Sequence, residues 1–364
     1  MAPASNRIVA SLPHGPGNPR NSEGAFIDLR DGRILFAYTR YRGESWADHA
    51  TADIAARTSS DGGCTWSAED RLLVPNDGSQ NVMSVSLLRL ADGQLALFNL
   101  RKDGFNACIP FLRTSADEGE SWSVPARGVP VPGYFVLNND RVVALRSGRL
   151  VMPVAYHRPR GPRQGGSAGD ASSLGHDPRA VAVFYLSDDQ GRTWYEAPDV
   201  LPLPVRSGTG LQEPGVVELA EGRLWAWFRT DTGRQWQSFS TDAGLTWTWP
   251  EPSVFHSPAS PLSMKRDPQT GQLVAVWNDR SGRWGLPEPA KSSWGRTPLV
   301  IAWSRDEGAT WERAAVLEDD PERGFCYVAM HFTPDAILLG YCCGGRGSAV
   351  LQDACIRRLQ RPSD

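Results

Sequence analysis

Residues 59–66 read SSDGGCTW, and the same pattern returns four more times along the chain. The further copies are SADEGESW at 115–122, SDDQGRTW at 187–194, STDAGLTW at 240–247 and SRDEGATW at 304–311. All five fit S-x-D-x-G-x-[ST]-W, and we call each copy a box. A motif that recurs every 53 to 72 residues in a chain of 364 indicates one closed repeat architecture.

A second pattern lies between the boxes and consists of a turn with Gly, flanked by alternating apolar residues. Gly or Asp-Gly between alternating segments is the strongest short-range signal for a β-hairpin. An apolar strand follows each of the first five hairpins and runs into a box. The hairpins are LRDGRILFAY (29–38), LADGQLALFN (90–99), LRSGRLVMPV (145–154), LAEGRLWAWF (219–228), RDPQTGQLVAVW (266–277) and the weaker FTPDAILLGY (332–341).

These repeats predict an all-β fold, a six-bladed β-propeller of four-stranded antiparallel blades. The last unit has no box, but residues 348–359 supply a strand, and RIVASLP at 7–13 is left over to complete that blade and cover its edge. Each box then forms the turn between the third and fourth strands of a blade. We expect one domain over residues 1–364, with a Gly-, Ser- and Arg-rich insertion at 157–180 that is either a lid or a disordered loop.

Composition excludes several classes of partner. The net charge is -3 with acidic and basic residues interspersed, so the basic surface of a nucleic-acid binder is not expected. The chain has no signal-peptide-like start and no run of about 18 apolar residues, so we expect no membrane association and a cytoplasmic protein, with a trimmed secreted form as the alternative. Without Cys-x-x-Cys or His-Glu-x-x-His spacing, we expect free thiols, no metal and no cofactor.

Hairpins and boxes lie on one face of such a propeller, so the remaining connections meet at the opposite mouth of its central channel, where loops carry functional residues. Three of these connections contain an arginine: Arg20, Arg229 and Arg296. Guanidinium groups from three blades converge only around an anion, and their planar forks suit a carboxylate. The alternative is local pairing, of Arg20 with Glu23 and of Arg229 with Asp231.

The same face carries Asp48, Glu213 and Tyr327, and with them the sequence resembles the sialidase (neuraminidase) superfamily, whose six-bladed propellers contain these boxes. The resemblance covers nearly the whole chain. Arg20 precedes the first hairpin, Arg229 ends the strand after VVELAEG, and Arg296 opens RTPLVIAWS, the positions of the family's three substrate-binding arginines. The chain departs from the family's Arg-Ile-Pro at the first of them.

The resemblance also assigns catalytic roles. Asp48 stands where the family has its acid/base aspartate, Glu213 precedes the VVELAEG hairpin, and Tyr327 lies eight residues before Asp335, the spacing of the nucleophilic tyrosine. In place of Arg-Ile-Pro, the sequence after the first arginine continues Asn-Ser-Glu, so Glu23 adds a carboxylate near the expected anion site.

These roles imply a retaining exo-glycoside hydrolase that releases a terminal sialic or related ulosonic acid from a sialoside or another acidic glycan. A neutral tyrosine suits a sugar whose anomeric carbon carries a carboxylate, since a carboxylate nucleophile would meet like charge. The phenol has a pKa of about 10 and needs a base, which Glu213 would supply, while Asp48 would protonate the leaving oxygen.

Two other functions remain open. His157, flanked by Tyr156 and Arg158, lies on the same face, and some propellers with boxes are lyases or hydrolases of uronate sugars that use His, Tyr and Arg. In either enzyme His157 would contact the substrate. The second alternative is a propeller that binds acidic glycans without turnover.

Overall fold

A computed structural model describes residues 6–160 and 175–361. The described residues form 25 strands and one 3-10 turn, Lys291–Ser293. The strands of the first three blades are β2 (Asn21–Asp28), β3 (Ile34–Tyr41), β4 (Ala52–Ser59) and β5 (Arg71–Val74); β6 (Asn81–Arg89), β7 (Leu95–Gly104), β8 (Ala107–Ser115) and β9 (Ala126–Arg127); and β10 (Tyr134–Val136), β11 (Val143–Ala144), β12 (Leu150–Pro159), β13 (His176–Ser187) and β14 (Tyr195–Glu196).

The second half of the chain repeats this plan. Its strands are β15 (Gln212–Glu218), β16 (Leu224–Arg229), β17 (Arg234–Ser240) and β18 (Glu251–His256); β19 (Ser263–Arg266), β20 (Leu273–Asn278), β21 (Leu299–Ser304) and β22 (Glu312–Glu318); and β23 (Cys326–Phe332), β24 (Ala336–Cys342) and β25 (Ala354–Gln360), which are joined by β1 (Asn6–Leu12). Within each blade, consecutive strands pair antiparallel.

By hydrogen bonding alone the strands form five sheets, four of four strands and one of nine. The nine-stranded sheet contains two blades, because a single parallel pairing of Tyr134 with Cys108 links β10 to β8. The first strands of the blades face the central channel, where β2 contacts β6 and β23, and β19 contacts β15 and β23. The predicted all-β six-bladed propeller is therefore confirmed.

The ring closes as the sequence indicates. β1 pairs antiparallel with β25 from Asn6 opposite Leu359 to Leu12 opposite Ala354, so the N-terminal strand is the fourth strand of the last blade. This pairing covers the edge of β25, which otherwise would present unpaired backbone groups. Of the 157–180 insertion, the ends belong to β12 and β13, and residues 161–174 lie outside the described part of the chain.

Each box is a turn between the third and fourth strands of its blade, closed by its own side chains. In the first, Asp61 Oδ1 accepts from the Thr65 amide at 2.9 Å, and Ser59 Oγ accepts from the Gly63 amide at 2.9 Å. The Thr65 hydroxyl donates to Asp61 Oδ2 at 2.6 Å. Gly63 has φ +82, and a Cβ there would lie 2.6 Å from Leu338 of the last blade, so only glycine fits.

The tryptophans of the boxes fill the interfaces between blades. The Trp247 ring of the fourth blade stacks on Phe184 of the third at 4.0 Å, and Trp194 of the third meets Phe98 of the second edge-on at 5.9 Å. Trp247 and Trp194 thus each pack against the preceding blade, whereas Trp66 packs against Phe26 and Phe36 of its own blade. Packing between successive blades makes the ring rigid enough to hold loops from distant parts of the chain together.

No helix among residues 6–160 and 175–361 is long and apolar enough to cross a membrane.

Candidate active site

Four first strands contain a bulge whose central residue has a left-handed backbone. These residues are Glu23, Ser84, Glu213 and Tyr327, with φ of 56, 57, 48 and 57. In each case the pairing with the second strand shifts register around that residue. A bulge turns its side chain away from the regular ladder direction. The fold thereby directs three of the candidate side chains into the channel mouth.

Tyr327 and Glu213 meet there from opposite parts of the ring. The phenol of Tyr327 donates to Glu213 Oε1 at 2.9 Å, and Arg229 Nη1 donates to the same oxygen at 2.6 Å. Arg229 Nη1 lies 3.5 Å from the phenol oxygen. Burial raises the pKa of Tyr327 well above its ordinary value and the charge of Glu213 adds to this, although Arg296 and Arg229 oppose it. The phenol is therefore neutral and bonded to a carboxylate able to take its proton.

Arg20 is fully buried and holds two carboxylates. Its Nη1 lies 2.5 Å from Asp48 Oδ1 and its Nη2 lies 3.3 Å from Glu23 Oε2. The guanidinium also lies over the Tyr41 ring at 4.5 Å from the centroid, and Nε donates to Ser22 at 3.0 Å. These contacts fix the plane of Arg20, while one of its two partners, Asp48, has a side chain 58% exposed to solvent.

The loop that carries Asp48 is anchored to the second blade. Asn81 Nδ2 donates to the main-chain oxygen of Asp48 at 2.9 Å, and Lys102 Nζ donates to the same oxygen at 3.1 Å. Desolvation raises the pKa of the Asp48 carboxyl, but the charges of Arg20 and Lys102 outweigh it and hold that pKa well below its usual range. In the free protein Asp48 is thus ionised.

Glu23 behaves in the opposite way. Burial raises the pKa of the Glu23 carboxyl, the neighbouring carboxylates of Asp48 and Glu213 add to the rise, and Arg20 and Lys102 oppose it. Glu23 therefore gains a proton more readily than an ordinary glutamate. The extra carboxylate predicted from the sequence is present in the cluster, and it lies against the first arginine.

Arg296 approaches Tyr327 from the fifth blade. Its guanidinium lies over the Tyr327 ring at 5.3 Å and over the Trp294 ring at 5.4 Å. Nη1 donates to the Cys326 thiol at 3.0 Å, and Nη2 donates to the main-chain oxygen of Ala259 at 3.3 Å. Among the described residues no carboxylate pairs with Arg296, so its charge is available to an anion.

The structure brings all six residues of the main hypothesis into one cluster. Tyr327 contacts Glu213, Arg229 and Arg296. Arg20 holds Asp48 and Glu23, and one side-chain amide, that of Asn139, bonds to the main chain of both Gly24 and Tyr327. The alternative of local pairing holds in part. Arg20 does pair with Glu23, whereas Arg229 pairs with Glu213 and not with Asp231, which accepts from Ser207 and the Gly208 amide. The catalytic and binding roles of these residues remain predictions.

His157 lies beside this cluster and is separated from its sequence neighbours. Its Nδ1 donates to the Asp177 carbonyl at 2.8 Å, and its ring meets Tyr134 edge-on at 5.7 Å. Burial lowers the pKa of His157 to about 4, so the ring is neutral near pH 7. Tyr156 and Arg158 instead line a cavity of about 390 Å³ between the third and fourth blades. Alternate residues of a strand face opposite sides, so the three do not converge.

Two residues of the cluster were not predicted from the sequence, although the segments that contain them were expected at this face. Lys102 lies in RKDGFN and Trp294 in the long connection before Arg296, segments expected at this face from topology. Neither residue stands out in the sequence, because lysine is common in polar connections and this chain has 14 tryptophans. Only the burial of Lys102 and the position of Trp294 over a guanidinium distinguish them.

Comparison with solved structures shows the same fold at low sequence identity. A protein of unknown function from Dyadobacter fermentans matches with TM-score 0.72 and 18% identity, over 98% of this chain and 100% of that one. The NanB sialidase from Streptococcus pneumoniae matches with TM-score 0.70 and 15% identity, over 98% and 70%. A Trypanosoma rangeli sialidase in complex with 2,3-difluorosialic acid, a covalent intermediate, matches with TM-score 0.69 and 16% identity, over 96% and 59%.

No curated protein matches the sequence. The family model described as BNR repeat-like domain matches residues 48–339, which is most of the chain and includes all five boxes. Its first matched residue is Asp48 and its span contains five of the six clustered side chains. The chain therefore belongs to the BNR repeat-like family and has the propeller fold of sialidases.

Proposed function

We propose that this chain is a retaining exo-glycosidase that releases a terminal sialic or related ulosonic acid. One observation supports this above the others: a buried neutral tyrosine donates its hydroxyl to a carboxylate at 2.9 Å, with an arginine on that carboxylate at 2.6 Å. A tyrosine is a weak nucleophile unless a base accepts its proton as it attacks. Glu213 is that base in the proposal.

The substrate's carboxylate binds among Arg20, Arg229 and Arg296. Each guanidinium is fixed by contacts of its own, so little side-chain freedom is lost when the sugar binds. The three arginines and Lys102 outnumber the three carboxylates of the cluster by one, which favours an anionic ligand. The carboxylate sits on the anomeric carbon of such sugars, so binding it also places that carbon beside the phenol of Tyr327.

Bond formation and proton transfer then occur together. The phenol oxygen of Tyr327 bonds to the anomeric carbon as its proton passes to Glu213, and the bond to the leaving oxygen breaks as Asp48 gives that oxygen a proton. In the second half, Asp48 takes a proton from water and the water oxygen attacks the anomeric carbon. The bond between that carbon and the Tyr327 oxygen breaks, and the released phenolate recovers its proton from Glu213. Two displacements at one carbon retain its configuration.

Asp48 must be protonated before the first step, whereas Arg20 keeps it ionised in the free protein. The substrate's carboxylate resolves this conflict, because it competes with Asp48 for the donors of Arg20. Once the ion pair is lost and a second carboxylate lies nearby, the pKa of Asp48 rises. Substrate binding thus prepares the acid.

Trapping experiments test the proposal directly. The protein is incubated with a 2,3-difluoro sialic acid and with chromogenic glycosides of sialic acid, its deaminated relative and glucuronic acid. We expect a covalent adduct on the peptide that contains Tyr327, by mass spectrometry, and a first product of retained configuration by NMR. Absence of both adduct and turnover would refute the enzyme and favour a binding propeller. An unsaturated uronate product would instead favour elimination.

A further inference from the structure

The first strand of the third blade is interrupted where it borders the channel. β10 ends at Val136 and β11 begins at Val143, and the residues between them leave the ladder. We call residues 137–141 the channel segment. Residues of this segment form hydrogen bonds at the first strands of four other blades. The partners are Gly24 in the first blade, Ser84 in the second, Ser263 and the preceding Leu262 in the fifth, and Tyr327 and Met330 in the sixth.

Asn139 makes the contacts closest to the cluster. Its Nδ2 donates to the main-chain oxygen of Gly24 at 2.8 Å and to the main-chain oxygen of Tyr327 at 3.2 Å. The first belongs to Gly24, the residue after Glu23, and the second belongs to Tyr327 itself. A single buried amide therefore links two strands that are more than 300 residues apart in the chain.

Both carbonyls belong to bulges. The register shifts between Ser22 and Ala25 and between Cys326 and Ala329 take these groups out of the regular ladder. A buried carbonyl without a donor is unfavourable, so another group must supply one. Glu23 and Tyr327 also have φ of 56 and 57, a region that residues with a Cβ adopt only where the surroundings enforce it. Asn139 provides both the donors and the restraint.

We propose that Asn139 is a positioning residue that holds the backbone of Tyr327 and Glu23 in the left-handed conformation. It has no hydrogen bond to the phenol, to Glu213 or to the three arginines. Its role is to keep the phenol of Tyr327 on Glu213 and the carboxylate of Glu23 on Arg20. The expected effect on kcat rests on the proposed function, whereas the expected effect on the position of Tyr327 rests on geometry alone.

Removal of both donors frees the Tyr327 peptide to relax toward an ordinary strand conformation. That relaxation swings the side chain, and a displacement of about 1 Å in a reacting group reduces the rate about a hundredfold. Substrate affinity depends mainly on the arginines, which Asn139 does not contact. The expected signature is a fall in kcat with little change in the affinity for a sialic acid transition-state analogue.

The test compares Asn139→Ala with Asn139→Ser, whose hydroxyl can serve one carbonyl at a time, and with Asn99→Ala as the control. Asn99 is as buried as Asn139, but its Nδ2 donates only to Leu100 of its own strand and to neither Gly24 nor Tyr327. Each protein is labelled with ¹³C at the tyrosine ring carbon that bears the hydroxyl, and the Tyr327 resonance is assigned with Tyr327→Phe. That resonance reports the hydrogen bond to Glu213 without any substrate.

We expect the Tyr327 resonance to move in both Asn139 variants and to stay in place in Asn99→Ala. The kcat should fall about a hundredfold in Asn139→Ala and less in Asn139→Ser. An unmoved resonance in a folded Asn139 variant, or an unchanged kcat beside a working wild type, would overturn the inference. If the wild type cleaves no acidic glycoside, the proposed function fails, and the resonance still decides whether Asn139 positions Tyr327.

Discussion

Asp48→Asn is the substitution that tests how substrate binding prepares the acid. In the free protein Arg20 Nη1 lies 2.5 Å from Asp48 Oδ1 and keeps the pKa of that carboxyl well below its usual range. An analogue whose carboxylate accepts the hydrogen bonds of Arg20 in place of Asp48 must break this ion pair. We therefore expect the wild type to take up a proton when the analogue binds, and we expect Asp48→Asn to bind without that uptake.

The environment of the Arg20–Asp48 ion pair determines how much Asp48→Asn changes the affinity for the analogue and in which direction the pKa of Asp48 moves. The Asp48 side chain is 58% exposed, so solvent screens the ion pair and its net worth is about 0.2–1 kcal/mol. Asp48→Asn removes this competition and should tighten analogue binding by no more than about fivefold, since about 1.4 kcal/mol corresponds to tenfold. Loss of the contact with the Arg20 cation and arrival of the analogue's carboxylate both raise the pKa of Asp48.

The number of protons taken up for each analogue bound should therefore rise as the pH is lowered toward about 5, with one proton as the limit for Asp48. Calorimetric titration in two buffers with different ionisation enthalpies measures this number. Any uptake that persists in Asp48→Asn belongs to another group, and Glu23 is the candidate because burial raises its pKa. Binding heats that do not depend on the buffer, or equal uptake in both proteins, would refute the reasoning.

Three further predictions concern the nucleophile, the boxes and the ring. Tyr327→Phe removes the attacking oxygen and should reduce turnover of a chromogenic sialoside at least about a thousandfold while the analogue still binds; full turnover would exclude the mechanism. Asp189→Asn should lower the urea midpoint of unfolding at pH 7 but not near pH 2. The hydrogen bond from the Thr193 hydroxyl lowers the pKa of Asp189 to about 2, so the stabilisation is present at pH 7 and is lost as the pH falls through that value. An equal decrease of the midpoint at both pH values would contradict this. Deletion of residues 1–12 removes β1 and exposes the edge of β25. The midpoint of unfolding, followed by fluorescence, should fall, and light scattering should rise because the exposed edges aggregate; unchanged curves would count against closure by β1.

The blade count could be predicted because each unit repeats its local signals. A box such as SSDGGCTW forms its turn with its own side chains, and an Asp-Gly hairpin is likewise a local feature. Neither depends on the rest of the ring. The pairing of β1 with β25 could also be predicted, because one strand at each end of the chain lacked a partner.

Topology predicted which segments of the chain share the site's face, and the family resemblance predicted six of its residues, but not the geometry that joins them. The left-handed backbone of Tyr327 and Glu213 is invisible in a sequence, because residues with a Cβ carry no mark of that conformation. The ion pair of Arg20 with Asp48 and the bonds of Asn139 across the channel depend on distances fixed by the closed ring. Residues 137–141 belong to one of the connections expected at this face, but nothing in their sequence distinguishes Asn139 from its neighbours.

The closed ring has a consequence for how the cluster comes into being. Arg20 and Asp48 arrive with the first blade, Glu213 and Arg229 with the fourth, and Tyr327 with the last. A fragment or a partly synthesised chain holds the complete set only if it includes residues 20–327. Glu213 and Arg229 can pair early within one blade, but the phenol reaches them only after the final strands have docked. Formation of the six-residue cluster thus requires that the last blade has joined the first.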